Sequence, residues 1–147
     1  MATITTNISQ VVSNLKTKFE LLENKDYLLR PLATETIPLM KERIHENGEA
    51  TDGTQIGTYA NSYMAARERA GRGESRKIIV ALTSQLEQDW SVQPTDKGYG
   101  IGFNNQFNAD KARWVEENKG KIIFNLSADE KKYISERLQE LVNEAFE

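Results

Sequence analysis

The sequence predicts an α+β fold, with three or four helices packed on a small, mostly antiparallel sheet that includes a β-hairpin. Three observations carry that expectation. Apolar residues recur at helical spacing near both ends of the chain, at Ile8, Val11, Val12, Leu15, Phe19 and Leu22 and again at Ile134, Leu138, Leu141, Val142 and Ala145. Between Glu87 and Phe103 the pattern changes to alternation. Trp90 and Val92 share one face, Tyr99, Ile101 and Phe103 alternate along a second strand, and Pro94-Thr95-Asp96-Lys97-Gly98 supplies the turn between them. Finally, Ile78-Ile79-Val80-Ala81-Leu82 is short, β-branched and apolar, and reads as a buried strand.

Taken in order, the first helix is capped by Thr5, Thr6 or Asn7, whose side-chain oxygens accept from the free amides of an opening turn. Its apolar stripe needs a partner: this domain's own sheet or second helix, or, with residues 1–24 acting as an arm, a neighbouring subunit. Asn24 to Asp26 interrupt the pattern, and Asp26 is placed to cap a second helix running to about Glu46 with Leu29, Ala33, Ile37, Met40 and Ile44 inward. Pro38 lacks a backbone donor and crowds the preceding turn, which predicts a kink or break near Thr34 to Ile37. Glu46-Asn47-Gly48 then forms a C-terminal cap. From Thr58 a third helix carries Tyr59 and Tyr63 on one inward stripe with Ala66. After the hairpin, Asn108 caps a short helix with Ala112, Trp114 and Val115, closed by Asn118-Lys119-Gly120. Ile122-Ile123-Phe124 follows, and Ser127 with Glu130 makes a capping box at the head of the last helix. Gly98, Gly100 and Gly102 leave one face of the second hairpin strand bare, either for another backbone to approach or for a bulge or twisted edge.

The 147 residues fit one domain, 1–147, long enough to remove about two-thirds of the unfolded surface from water. A composition 38% hydrophobic and 28% charged is that of a soluble globule. The net charge of -3 argues against a dedicated nucleic-acid binder. Without cysteine there is no disulfide framework or thiolate metal site, which suits a reducing cytosol. No segment reaches membrane-spanning length, and the N-terminus has no signal-peptide pattern, so neither membrane nor export is expected.

No constellation of catalytic residues emerges. His45 is the single histidine, so one chain assembles neither a two-histidine zinc site nor a cysteine-histidine couple. Its expected role is favourable interaction with the C-terminal dipole of its helix. The run Gly98-Tyr99-Gly100-Ile101-Gly102 lacks the lysine and hydroxyl residue of a phosphate loop. Ser13 and Lys16 have serine-lysine spacing without companion motifs, Glu116 and Glu117 are helix neighbours that do not face each other across a sugar, and Asp52-Gly53-Thr54 has too few oxygens for calcium. No cofactor, metal site or enzymatic activity is therefore expected. The one charge feature is the segment 66–77, read as a flexible basic loop. Arg67, Arg69, Arg72, Arg76 and Lys77 stand against Glu68 and Glu74, giving +3 over eleven residues. It is either a solvated loop or a contact for DNA phosphate or an acidic neighbour. Tyr59, Tyr63, Trp90 and Trp114 are read as scaffold.

The order of motifs from about residue 40 to 146 resembles the virion-morphogenesis or tail-completion proteins of tailed bacteriophages, the small head-to-tail joining family. Gly48, Gly53, Ile56, Tyr59 and Tyr63 match its glycines, apolar residue and Y-x-x-x-Y helix. Leu82-Thr83-Ser84-Gln85-Leu86 matches its L-T-G-x-L turn, with serine where the family usually has glycine. Gly100-Ile101-Gly102-Phe103, Lys111-Ala112 and Leu126-Ser127 match its I-G-F strand, K-A helix and L-S helix start. The resemblance implies a structural subunit of the virion, assembled in the host cytoplasm into a homo-oligomeric ring at the neck or upper tail. It would complete the tail or join it to the head, contact portal, connector or tail proteins, and surround a channel through which DNA passes. The alternative is a small non-enzymatic adaptor, or a nucleic-acid-associated protein, that uses the Arg67–Lys77 loop.

Overall fold

A computed structural model describes residues 8–23, 25–73, 75–80, 85–96 and 98–147, with only the backbone of Leu21, Leu22, Lys25 and Asp26. The caps at Thr5, Thr6 or Asn7, Ala81 and the first three residues of the Leu82–Leu86 turn lie outside the described residues. Helix α1 spans Ile8–Glu23 and α2 spans Lys25–Lys41. α2 starts ahead of Asp26, which is therefore not its cap. Of the kink or break expected near Thr34 to Ile37, the break does not occur: α2 runs through both Pro31 and Pro38. The disturbance appears one turn later, where the helix widens into a π-helical turn, Glu42–Glu46. Asn47 N–H closes that turn on the Glu42 carbonyl at 2.9 Å.

The π turn buries three consecutive side chains, Arg43, Ile44 and His45, and so sets the centre of the molecule. Ile44 joins Ala50, Ile56, Ile78 and Ile123 in the core, with Tyr59, Val80, Trp90, Val115 and Phe124 packed around it. Gly48, at φ +65°, ends the turn as expected; a Cβ there would run into the carbonyl of Ile78, so only glycine lets the two backbones meet.

Strands β1 (Trp90–Thr95) and β2 (Gly98–Phe103) form an antiparallel hairpin, with Trp90 opposite Phe103 and Val92 opposite Ile101. It packs against α2. The face left bare by Gly98 is filled by α2 itself: a Cβ on Gly98 would stand 2.7 Å from Leu29 Cδ1. Helix α4 (Gln106–Lys119) starts one turn before Asn108, with Asn105 as its cap, and ends at left-handed Gly120. Asn108 is buried and donates to Asp89 instead. Helix α5 (Ala128–Ala145) opens on the expected Ser127–Glu130 capping box. It lies against α2, where Tyr133 and Arg137 both donate to Glu35. The architecture is α+β: among the described residues, five α-helices with a two-stranded hairpin against α2.

The third helix differs from expectation. Backbone bonds from Tyr59 N to Arg76 O and from Ile78 N to Gly57 O tie segment 57–59 to 76–78, so α3 begins only at Asn61 and runs to Arg69. Tyr59 precedes it. The apolar run after Lys77 is not a strand where it is described. Ile78 is buried, but Val80 turns to φ +52°, a left-handed value rare for a β-branched residue.

Candidate functional site

The buried polar centre is built on His45. Its Nδ1 donates to the Ile79 carbonyl at 3.0 Å, and its Nε2 accepts from the Trp90 indole N–H at 3.0 Å. One acceptor and one donor fit only the neutral imidazole protonated at Nδ1. Burial lowers the His45 pKa, against the opposing pull of the Ile79 carbonyl. A charge on the helix dipole is thus not its role, as sequence reading had it; the ring is a wedge between the π turn, the hairpin and segment 78–80. Tyr59 Oη completes the node by accepting the N–H groups of Ile79 and Val80, each at 3.2 Å. The strained Val80 backbone is held there.

The five cations of the basic segment are not gathered on one surface. Arg67 is 2% exposed, with its guanidinium 4.2 Å from the Tyr59 ring centre, a buried cation–π contact rather than a solvent-facing charge. Arg72 faces Glu87 at 3.5 Å, an acid outside the segment that sequence proximity did not supply. Arg76 donates to the Tyr59 carbonyl at 3.1 Å, and Lys77 pairs through its backbone with Thr58. Arg69 and Arg76 are exposed. Since α3 extends to Arg69, the first part of the expected loop is helix.

Of the four aromatic residues read as scaffold, Tyr59 and Trp90 are packed against the core, with Trp90 4.7 Å from Phe103. Tyr63 is 40% exposed and leans on Tyr59 at 5.1 Å. Trp114 is 64% exposed and lies on the surface of α4 instead of in the scaffold.

What sequence reading missed is the cleft that Tyr59, Tyr63 and Trp114 border. A cavity of about 550 Å³ opens between α3, α4 and the segment around Val80 and Leu86. Tyr59, Tyr63, Val80, Leu86, Trp114 and Val115 give it mostly apolar walls, and Lys111 and Lys119 stand at its rim. The spacing of Lys111, Trp114, Val115 and Asn118 on α4 was the available signal: positions i, i+3, i+4 and i+7 share one helical face. Phe107 is as exposed as Trp114, and Lys111 Nζ sits 4.6 Å from its ring centre. A second uncovered surface is the stripe of α1, where Ile8, Val11, Val12, Leu15 and Phe19 all remain between 41% and 64% exposed.

No family model, curated protein or solved structure matches the chain. Among the described residues, no group of three or more histidine, aspartate or glutamate side chains is placed to hold a metal ion. No described helix is long and apolar enough to cross a membrane.

Proposed function

We propose that this chain is a non-enzymatic structural subunit that works by assembling, as a ring at the neck or upper tail of a tailed-phage particle. The observation that carries the assembly reading is the exposed apolar stripe of α1. Five large side chains on one helical face are uncovered, and such contiguous surface on a soluble protein marks an interaction site. The phage setting rests on the resemblance in motif order alone. His45, the residue with the broadest catalytic repertoire, has both ring nitrogens engaged by its own chain, which supports a structural role for it.

The adaptor or nucleic-acid reading draws less support, because Arg67 is buried and Arg72 faces Glu87. A channel or partner contact would fall to Arg69 and Arg76. The test is the mass of the purified protein in solution together with imaging of particles. A ring-forming oligomer located at the neck supports the proposal; a monomer at every concentration, or particles complete without the protein, rejects it. Replacing Arg69 and Arg76 by alanine tests the alternative, which requires salt-sensitive nucleic-acid binding that the double variant loses.

A further inference from the structure

We propose that the cleft between α3 and α4 is the receptor for helix α1 of a second copy of this chain. The inference rests on the assembly reading above and names the partner surface. The chain carries two uncovered apolar surfaces, and they fit one another. From Ile8 to Phe19 the α1 stripe covers eleven residue steps, about 17 Å of helix. The α4 wall of the cleft, from Lys111 past Trp114 to Lys119, covers eight steps, about 12 Å, enough to seat two turns of that ridge. One surface is a convex helical ridge and the other a concave cavity of about 550 Å³ with an aromatic wall, the geometry of a helix laid in a groove.

Charge agrees with shape. The first two turns of α1, Ile8 to Leu15, contain no charged residue, as an apolar trough requires. Acidic Glu20 and Glu23 follow at the stripe's C-terminal end and are exposed, while the cleft lining carries Lys111 and Lys119, its one acid, Glu87, being faced by Arg72 at 3.5 Å. Of the lysines on α1, Lys18 is engaged with the Glu147 carbonyl at 3.1 Å, and Lys16 is exposed. The described residues of a chain's own α1 do not fill its own cleft: α1 contacts α2 and α5, and none of its described side chains lines the cavity.

Because ridge and groove are different surfaces, the contact is heterologous and leaves each bound copy with one free ridge and one free groove, the arrangement that closes into rings or extends as filaments. Mixing variants separates this from its rivals. Leu15→Glu spoils the ridge and Trp114→Glu spoils the groove. Both positions are exposed, and circular dichroism and melting temperature check that each variant is folded; Leu15→Ser and Trp114→Ala repeat the test without added charge. Light scattering and native mass spectrometry should show oligomers for the unmodified chain and monomers for each variant alone, with dissociation constants raised about 100-fold. An equimolar mixture of the two variants should give one-to-one dimers that grow no further, since one intact ridge meets one intact groove. The proposal is overturned if the unmodified chain stays monomeric, if the Trp114 variant assembles normally, as a symmetric α1–α1 contact would allow, or if the mixture forms no dimer. Assembly that survives both variants overturns it while leaving the ring reading intact, because another surface would then be responsible.

Discussion

Replacing Glu130 by alanine should be among the most damaging single changes in the protein. The Glu130 carboxylate accepts from Arg43 Nε at 2.7 Å and from Arg43 Nη2 at 3.2 Å, and both side chains are buried. Arg43 spends its other donors on the carbonyls of Glu49 and Asn125, which leaves the carboxylate as its only counter-charge among these contacts. Glu130 also accepts the Ser127 N–H, closing the capping box of α5. Removing one partner of a buried pair strands the other charge, at about 3–5 kcal/mol, and loss of half a capping box adds up to about 1 kcal/mol. The expected total of about 3–6 kcal/mol is a large share of the roughly 5–15 kcal/mol that stabilises a domain. Urea titration followed by tryptophan fluorescence reads it, since Trp90 sits in the core cluster. Arg43→Met with Glu130→Leu should cost far less than either single change, because no buried charge remains. If Glu130→Ala falls within about 1 kcal/mol of the unmodified protein, the pair is not buried in solution and the reasoning fails.

Three further outcomes follow from the polar centre and the hairpin. Burial lowers the folded-state pKa of His45, so the unfolded chain takes up the proton first. Its contribution to stability is complete above about pH 6.5 and is lost as pH falls towards the folded-state value, at up to about 1.4 kcal/mol per pH unit. Urea midpoints between pH 7.5 and 5 should show that slope and lose it in His45→Gln. Tyr59→Phe leaves the Ile79 and Val80 N–H groups without their acceptor and should cost about 1–3 kcal/mol in the same titration. Gly98→Ala places a methyl group against Leu29 at a backbone φ of +151°, and should lower stability by about 1–3 kcal/mol, visible as an earlier thermal transition.

The parts legible in the sequence are those that local chemistry decides. The hairpin follows from alternation around Pro94 to Gly98, and the start of α5 from the three-residue spacing of Ser127 and Glu130. Both depend on residues close along the chain. The candidate site was harder to read, because its charges are settled by residues far apart. Arg67 looks solvent-bound in sequence, yet it is covered because segment 57–59 pairs with 76–78 and brings the Tyr59 ring over it. Arg72 meets Glu87, fifteen residues on. The prolines of α2 mislead for a related reason: packing against the hairpin and α5 holds the helix through them.

Periodicity states that a helix has an apolar face and is silent on what covers it. Leu15 in α1 and Leu141 in α5 belong to equally regular stripes, yet Leu141 is buried and Leu15 is 41% exposed. The difference lies in tertiary support. α5 runs along α2 with Tyr133 and Arg137 bonded to Glu35, whereas the side-chain contacts of α1 gather at its C-terminal half, where Phe19 meets Phe146 at 5.3 Å and Lys18 reaches the Glu147 carbonyl. An aliphatic or aromatic side chain gains about 1.5–3 kcal/mol when fully buried, so the uncovered stripe contributes little to the isolated fold and has a large gain still available to an interface. A chain lacking residues 1–17 keeps the Phe19 contact and should lose less than about 1 kcal/mol of stability, while its tendency to associate disappears. Calorimetry and light scattering on the same sample measure the two effects separately. A melting temperature lowered by more than about 5 °C would show that α1 belongs to the core of its own domain. Unchanged association would show that the exposed stripe is not what holds copies together.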